Sequence, residues 1–172
     1  MDSLMLSLAN WLQNTPLHNL MVDYKWSWPI AESLHFIGLS ILIGTVGSFD
    51  LRLLGVGKGI PIAAFHKFIP FGIAGYLINV MTGISFLSGA PDQYMYNPAV
   101  QLKFLCMGVA GVNVLVFYLL VFGKIKTRGP GEEAPLAARI VGGVSLSMWI
   151  GVMSFGRLIT FFRPPFHWCP WC

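Results

Sequence analysis

The sequence predicts an all-α fold: an antiparallel four-helix transmembrane bundle preceded by an interfacial amphipathic helix. Three observations predict it. Only 10% of the 172 residues are charged while 55% are hydrophobic, and mean hydropathy is +0.67. A soluble domain carries about 25% charged residues, so this chain has too little polar surface to coat a globule in water. Four apolar segments each exceed the roughly 20 residues that cross about 30 Å of hydrocarbon. Polar connectors rich in Gly and Pro separate them. The net charge of +4 is then the signature of basic loops at one membrane face, and nucleic acid is not an expected partner.

The elements follow in chain order. In "MDSLMLSLANWLQN" the residues Ser3, Ser7, Asn10 and Asn14 form a polar stripe on an otherwise apolar helix. The segment is short for a span, so it is expected to lie along the bilayer surface. Pro16 is expected to end it. The first residues lack a basic region, and Asp2 is acidic, so no secretory signal is read there. The connector that follows carries Trp26 and Trp28 as interface anchors; helix and connector together occupy residues 1–28. The spans are expected at about Pro29–Leu54, Pro61–Ser88, Ala99–Phe122 and Leu136–Phe162, in a membrane domain covering 29–163. "GKIKTRGPGEEAP" is a polar turn between spans three and four, and residues 164–172 form a tail rich in His and Cys.

Basic residues set the orientation. Arg52, Lys58, Lys67, Lys124, Lys126, Arg128 and Arg139 fall on one side, and Lys25, Lys103, Arg157 and Arg163 on the other. The more basic side is expected to be cytoplasmic. Both termini then face the periplasm of a bacterial inner membrane. Gly143, Ser147 and Gly151 in span four, and Ser40, Gly44 and Ser48 in span one, recur every four residues. Small residues at that spacing allow close helix approach, within the bundle or between copies of a homo-oligomer.

Ionisable residues within lipid depth are costly and usually point inward for a purpose. Glu32 and His35 share a helical face in the outer half of span one. His35 could ligate a haem iron, with Glu32 accepting its other ring N–H; the plainer alternative is a buried hydrogen bond that fixes packing. His66 lies early in span two near the cytoplasmic face. Two histidines on neighbouring spans suggest bis-His haem b. Helical rise, however, separates them by on the order of 16 Å in depth, too far for one flat haem. His66 is then a ligand to a separate haem, a structural residue, or a side chain reaching for the interface. Met107, Met153 and His167 lie at His35's depth as further ligands or as filler, while Lys103, Arg157 and Arg163 suit haem propionates or interface anchoring. Asp50 and Arg52 could pair with each other or with a neighbouring helix and are expected to be structural, and Cys106 reads as a small buried hydrophobe.

The stretch "WPIAESLHFIGLSILIGTVGSFDLRLLG" resembles the first span of a family of small bacterial four-helix inner-membrane proteins of uncharacterised function. The match falls on Glu32, His35, Gly38, Gly44, Asp50, Leu51, Arg52 and Gly55. It continues through Pro70, through "YMYNPAVQLK" with Tyr94, Asn97 and Lys103, and through "GRLITF" with Gly156 and Arg157. It covers about residues 26–163. His66 and "HWCPWC" are not part of the pattern. The resemblance implies the fold and the membrane location, and no activity.

In an oxidising periplasm, Cys169 and Cys172 could form a disulfide, bind copper or zinc with His167, or act as a redox pair. Covalent haem is disfavoured because no His follows the second Cys. The leading expectation is therefore electron transfer through haem b at His35, with a second metal centre at the tail and a redox protein or quinone as partner. A cofactor-free structural or assembly subunit with a terminal disulfide is the rival. A small channel or transporter with Glu32 in its path is the third, although no paired broken helices support it.

Overall fold

The computed structural model describes residues 2–126, 129 and 131–162. They are helical, with no strand among them. Four helical rods are long and apolar enough to cross a membrane: Ser27–Leu53, Ile62–Gly89, Pro98–Ile125 and Leu136–Phe162, here spans one to four. Their outward faces are apolar, with Met81 70% and Leu119 78% exposed, as suits helices bathed in lipid. The chain is an all-α four-helix bundle.

The stretch before span one holds two helices, α1 (Asp2–Gln13) and α2 (Pro16–Asp23). Pro16 does not merely end the first; it opens the second. Proline's fixed φ and missing N–H suit the first helical turn, and the Thr15 side chain caps it by accepting from the His18 N–H at 3.3 Å. Together they cover the outer end of span two. The His18 ring meets the Ser88 carbonyl at 2.7 Å, and Gln13 donates to Asp92 at 3.2 Å. Trp26 stays exposed under Lys25, whereas Trp28 turns inward onto Gly89 and Phe86.

The spans pack as two pairs, one on two and three on four, joined where the inner part of span one crosses span four. Close backbone approach makes the first pair. A methyl group at Gly75 would stand 2.6 Å from the Gly38 carbonyl oxygen, and one at Gly72 2.6 Å from Thr45 Oγ1. In the second pair Gly151 lies against Cys106 Sγ. Gly151 was expected at such a contact; Ser40, Gly44 and Ser48 instead lie on the exposed face of span one. At the outer end Asn97 caps span three by accepting from Ala99 N–H, and donates across to the Ile159 carbonyl at 3.0 Å.

At the opposite end Arg52 is 1% exposed. Its Nε donates to the Ile60 carbonyl at 2.7 Å, and Nη2 to those of Lys58 and Glu132. Arg52 is thus structural, as expected, but it fastens two connectors and not Asp50. Gly55 and Gly57 take positive φ in that connector, a region L side chains rarely adopt. Glu133 pairs with Lys58 and Arg139. The Lys58 hydrogen bond, then that of Arg139, holds its carboxyl below the ordinary carboxylate range.

Candidate functional site: an aspartate-floored cleft and a threonine-anchored histidine

Two spans contain one wide, π-type turn each: Ile43–Gly47 in span one and Phe117–Val121 in span three. Such turns re-aim the side chains that follow and concentrate at functional sites. Here both border the same cavity, of about 330 Å³. Its inner wall comes from buried residues of spans one and four, among them Leu42, Phe49, Asp50, Ser145 and Trp149. Its rim comes from spans two and three, where Ile73, Tyr76, Val114 and Tyr118 are exposed. The cavity is therefore a lateral cleft facing the lipid between spans two and three.

The cleft wall is apolar except for a few groups. Asp50 is 3% exposed, and its Oδ2 has no hydrogen-bond partner; Trp149 is 9% exposed, and its Nε1 has none either. Ser145 lies beside the Asp50 carboxyl and is 5% exposed. Asn113 is occupied, donating from Nδ2 to the Val141 carbonyl at 3.0 Å. Buried polar atoms are nearly always paired, and each exception asks for an explanation.

His35 lies outside the cleft: Leu42, its outermost lining residue on span one, is seven residues further along, about 10 Å of helix rise. His35 is half-buried. Its Nδ1 lies 2.7 Å from Thr82 Oγ1. The Thr82 hydroxyl has one proton and two carbonyls of its own helix within reach, Ile78 at 2.8 Å and Asn79 at 3.2 Å; we assign the proton to Ile78. The hydroxyl oxygen then accepts from Nδ1–H, leaving the Nε2 lone pair uncommitted. The Phe86 ring meets the imidazole edge-on, with centroids 5.5 Å apart. Glu32 is exposed and does not take the Nδ1 proton; Thr82 does so from the neighbouring span.

The other candidates divide. His66 is separated from Thr82, and hence from His35, by about 24 Å of helix rise. Its Nε2 lies 3.2 Å from the Tyr118 hydroxyl, and its ring stacks on Phe122. Lys103 is half-buried with its side chain over Gly156, while Arg157 is exposed. Among the described residues no three His, Cys, Asp or Glu side chains converge as a metal site. His167, Cys169, Cys172 and Arg163 lie outside the described residues.

Sequence reasoning passed over Thr82, Ser145, Trp149 and Tyr118. Ser145 and Trp149 are one turn apart on span four, a spacing that could have marked a polar face. No protein family, curated protein or solved structure matches this chain, so its sites rest on their own geometry.

Proposed function

We propose that this protein is a membrane-embedded electron carrier that holds haem b through Nε2 of His35. One observation carries the reading: an imidazole at lipid depth whose Nδ1 lies 2.7 Å from the Thr82 hydroxyl, a contact that places the ring proton on Nδ1 and leaves Nε2 free when that hydroxyl gives its own proton to the Ile78 carbonyl. Metal-bound histidines are ordinarily held that way, the second nitrogen donating to a neighbour that fixes tautomer and ring orientation. In this reading Thr82 does what Glu32 was expected to do. Lys103, whose charge acts on the His35 ring, and Arg157 are the cations offered to propionates. A bound haem would supply one-electron chemistry, while the chain supplies the ligand and the apolar surroundings. His66 is too distant to share that haem.

The wider reading keeps a bacterial inner membrane with both termini periplasmic, a homo-oligomer, a redox protein or quinone as partner, and copper or zinc at His167, Cys169 and Cys172. The distribution of basic residues supports the orientation, and the soft ligands of the tail support the metal.

A second reading has an observation of its own. The His35–Thr82 bond lies about one turn along span one and about two turns along span two from the Gly38–Gly75 contact, where it would fasten spans one and two in a cofactor-free structural subunit. An absorption spectrum with iron quantification, on protein produced with ample haem, decides between them. Wild type should show a Soret band and bound iron, and His35→Ala should lose both. A colourless wild type leaves the fastener.

A further inference from the structure

We infer that the cleft between spans two and three is a binding site for a lipid-soluble, single-ring phenol or quinone-type molecule that enters from the bilayer. Its polar end would meet Asp50 and Trp149. None of the lining residues is a histidine, so this site stands apart from the haem proposal.

Shape and position come first. The volume of about 330 Å³ lies at the lower end of small-molecule sites, which run from about 300 to 1,000 Å³. That suits one ring and a short part of a tail, and not a whole phospholipid. The exposed rim on spans two and three faces hydrocarbon, so an apolar ligand reaches it without crossing water. Gly111 lines the cleft with free space where its side chain would be.

The wall chemistry selects the ligand. Five aromatic side chains line the cleft: Phe49, Tyr76, Phe117, Tyr118 and Trp149. Aromatic walls favour a ring through offset and edge-on contacts beyond simple area burial. Burying an unpaired polar group costs free energy unless a partner is supplied. The two unpaired atoms belong to different kinds: the indole N–H only donates, whereas Oδ2 of the Asp50 carboxyl, whose group also meets Ser145, accepts when ionised and can donate when protonated. Ser145 and Trp149 are one helical turn apart, about 6 Å, and Asp50 lies beside Ser145. A ligand that satisfies both therefore carries an acceptor for the indole and, a ring's breadth away, a hydroxyl that can donate to or accept from the carboxyl, as a quinol, a hydroxy-quinone or a substituted phenol does. A hydrocarbon would satisfy neither. A cation is disfavoured because its path runs through lipid.

Equilibrium binding to the full chain in lipid nanodiscs tests this with three radiolabelled probes. They are a benzoquinol with a single isoprene tail, an alkylbenzene of equal size, and a long-chain diacylglycerol. The quinol should bind saturably and at least about tenfold tighter than the alkylbenzene, the worth of one well-made buried hydrogen bond or more. Asp50→Leu should remove most of that preference, and Trp149→Phe, which keeps the ring and deletes the N–H, part of it. Gly111→Phe should fill the cleft and abolish binding, and because Gly111 has open space beside it that variant should fold. It therefore keeps the test valid if an Asp50 variant does not. Absence of saturable quinol binding overturns the inference. So does equal binding of the alkylbenzene, preference for diacylglycerol, or quinol binding that survives Gly111→Phe.

Discussion

His35 and Thr82 share one hydrogen bond across two spans, and its worth can be bounded. Interhelical polar contacts in membranes average about 0.6 kcal/mol, because the separated helices find other partners in the same bilayer. Thr82→Val keeps the shape and deletes the hydroxyl, so it should lower stability by about that amount. His35→Ala loses the same bond, so the double variant should fall short of the sum of the two. A double-mutant cycle on unfolding in mixed detergent measures this coupling; strict additivity would mean that the bond is not made. His35 itself was legible in the sequence, because an imidazole stands out in an apolar run. Thr82 was not, since a threonine that returns its proton to its own helix is ordinary in a span. Glu32 was misjudged as a partner because sequence spacing shows which residues share a face, but not whether that face turns toward the bundle.

The same ambiguity governs the elements. The four spans were readable from apolar length alone, to within a few residues. Which face of each span packs was not, because a lipid-facing surface is as apolar as an interior one and no hydrophobic periodicity separates them. The small residues of span one illustrate it: Ser40, Gly44 and Ser48 look like a packing stripe and are exposed, while Gly38 makes the close contact. This yields a paired prediction. Gly75→Leu should drive a side chain into the Gly38 carbonyl and cost about 1–3 kcal/mol or more by overpacking. Gly44→Leu, with nothing within 4 Å, should be close to neutral. Thermal unfolding in one detergent compares them, and equal costs would refute this packing of spans one and two. The wide turns, too, left no mark in the sequence: neither contains proline, and their effect on Asp50 and Tyr118 is visible only in three dimensions. Asp50 therefore read as a structural partner of Arg52 or of a neighbouring helix, and its place in the cleft wall emerges only from the fold.

For the whole molecule, the two-pair arrangement explains both the cleft and the polarity of the ends. Spans two and three flank the opening, while spans one and four close its wall. Because the four rods run antiparallel, the connectors 54–61 and 126–135 share one end, where Arg52 and Glu133 tie them together. That end also carries Lys58, Lys67, Lys124, Lys126 and Arg139; the other carries Lys25, Lys103 and Arg157. Basic residues near span ends are retained on the cytoplasmic side during insertion, so the connector end should face the cytoplasm and the α1–α2 end the outside. Cysteine labelling checks this in a background with Cys106, Cys169 and Cys172 changed to Ser. In intact cells a membrane-impermeant maleimide should modify Lys25→Cys, and should reach Lys126→Cys only after the membrane is opened. The reverse pattern would invert the protein in its bilayer and put the tail cysteines in a reducing space, removing the basis for a disulfide there. The bundle and its cleft would be unchanged, since neither depends on which face is outside.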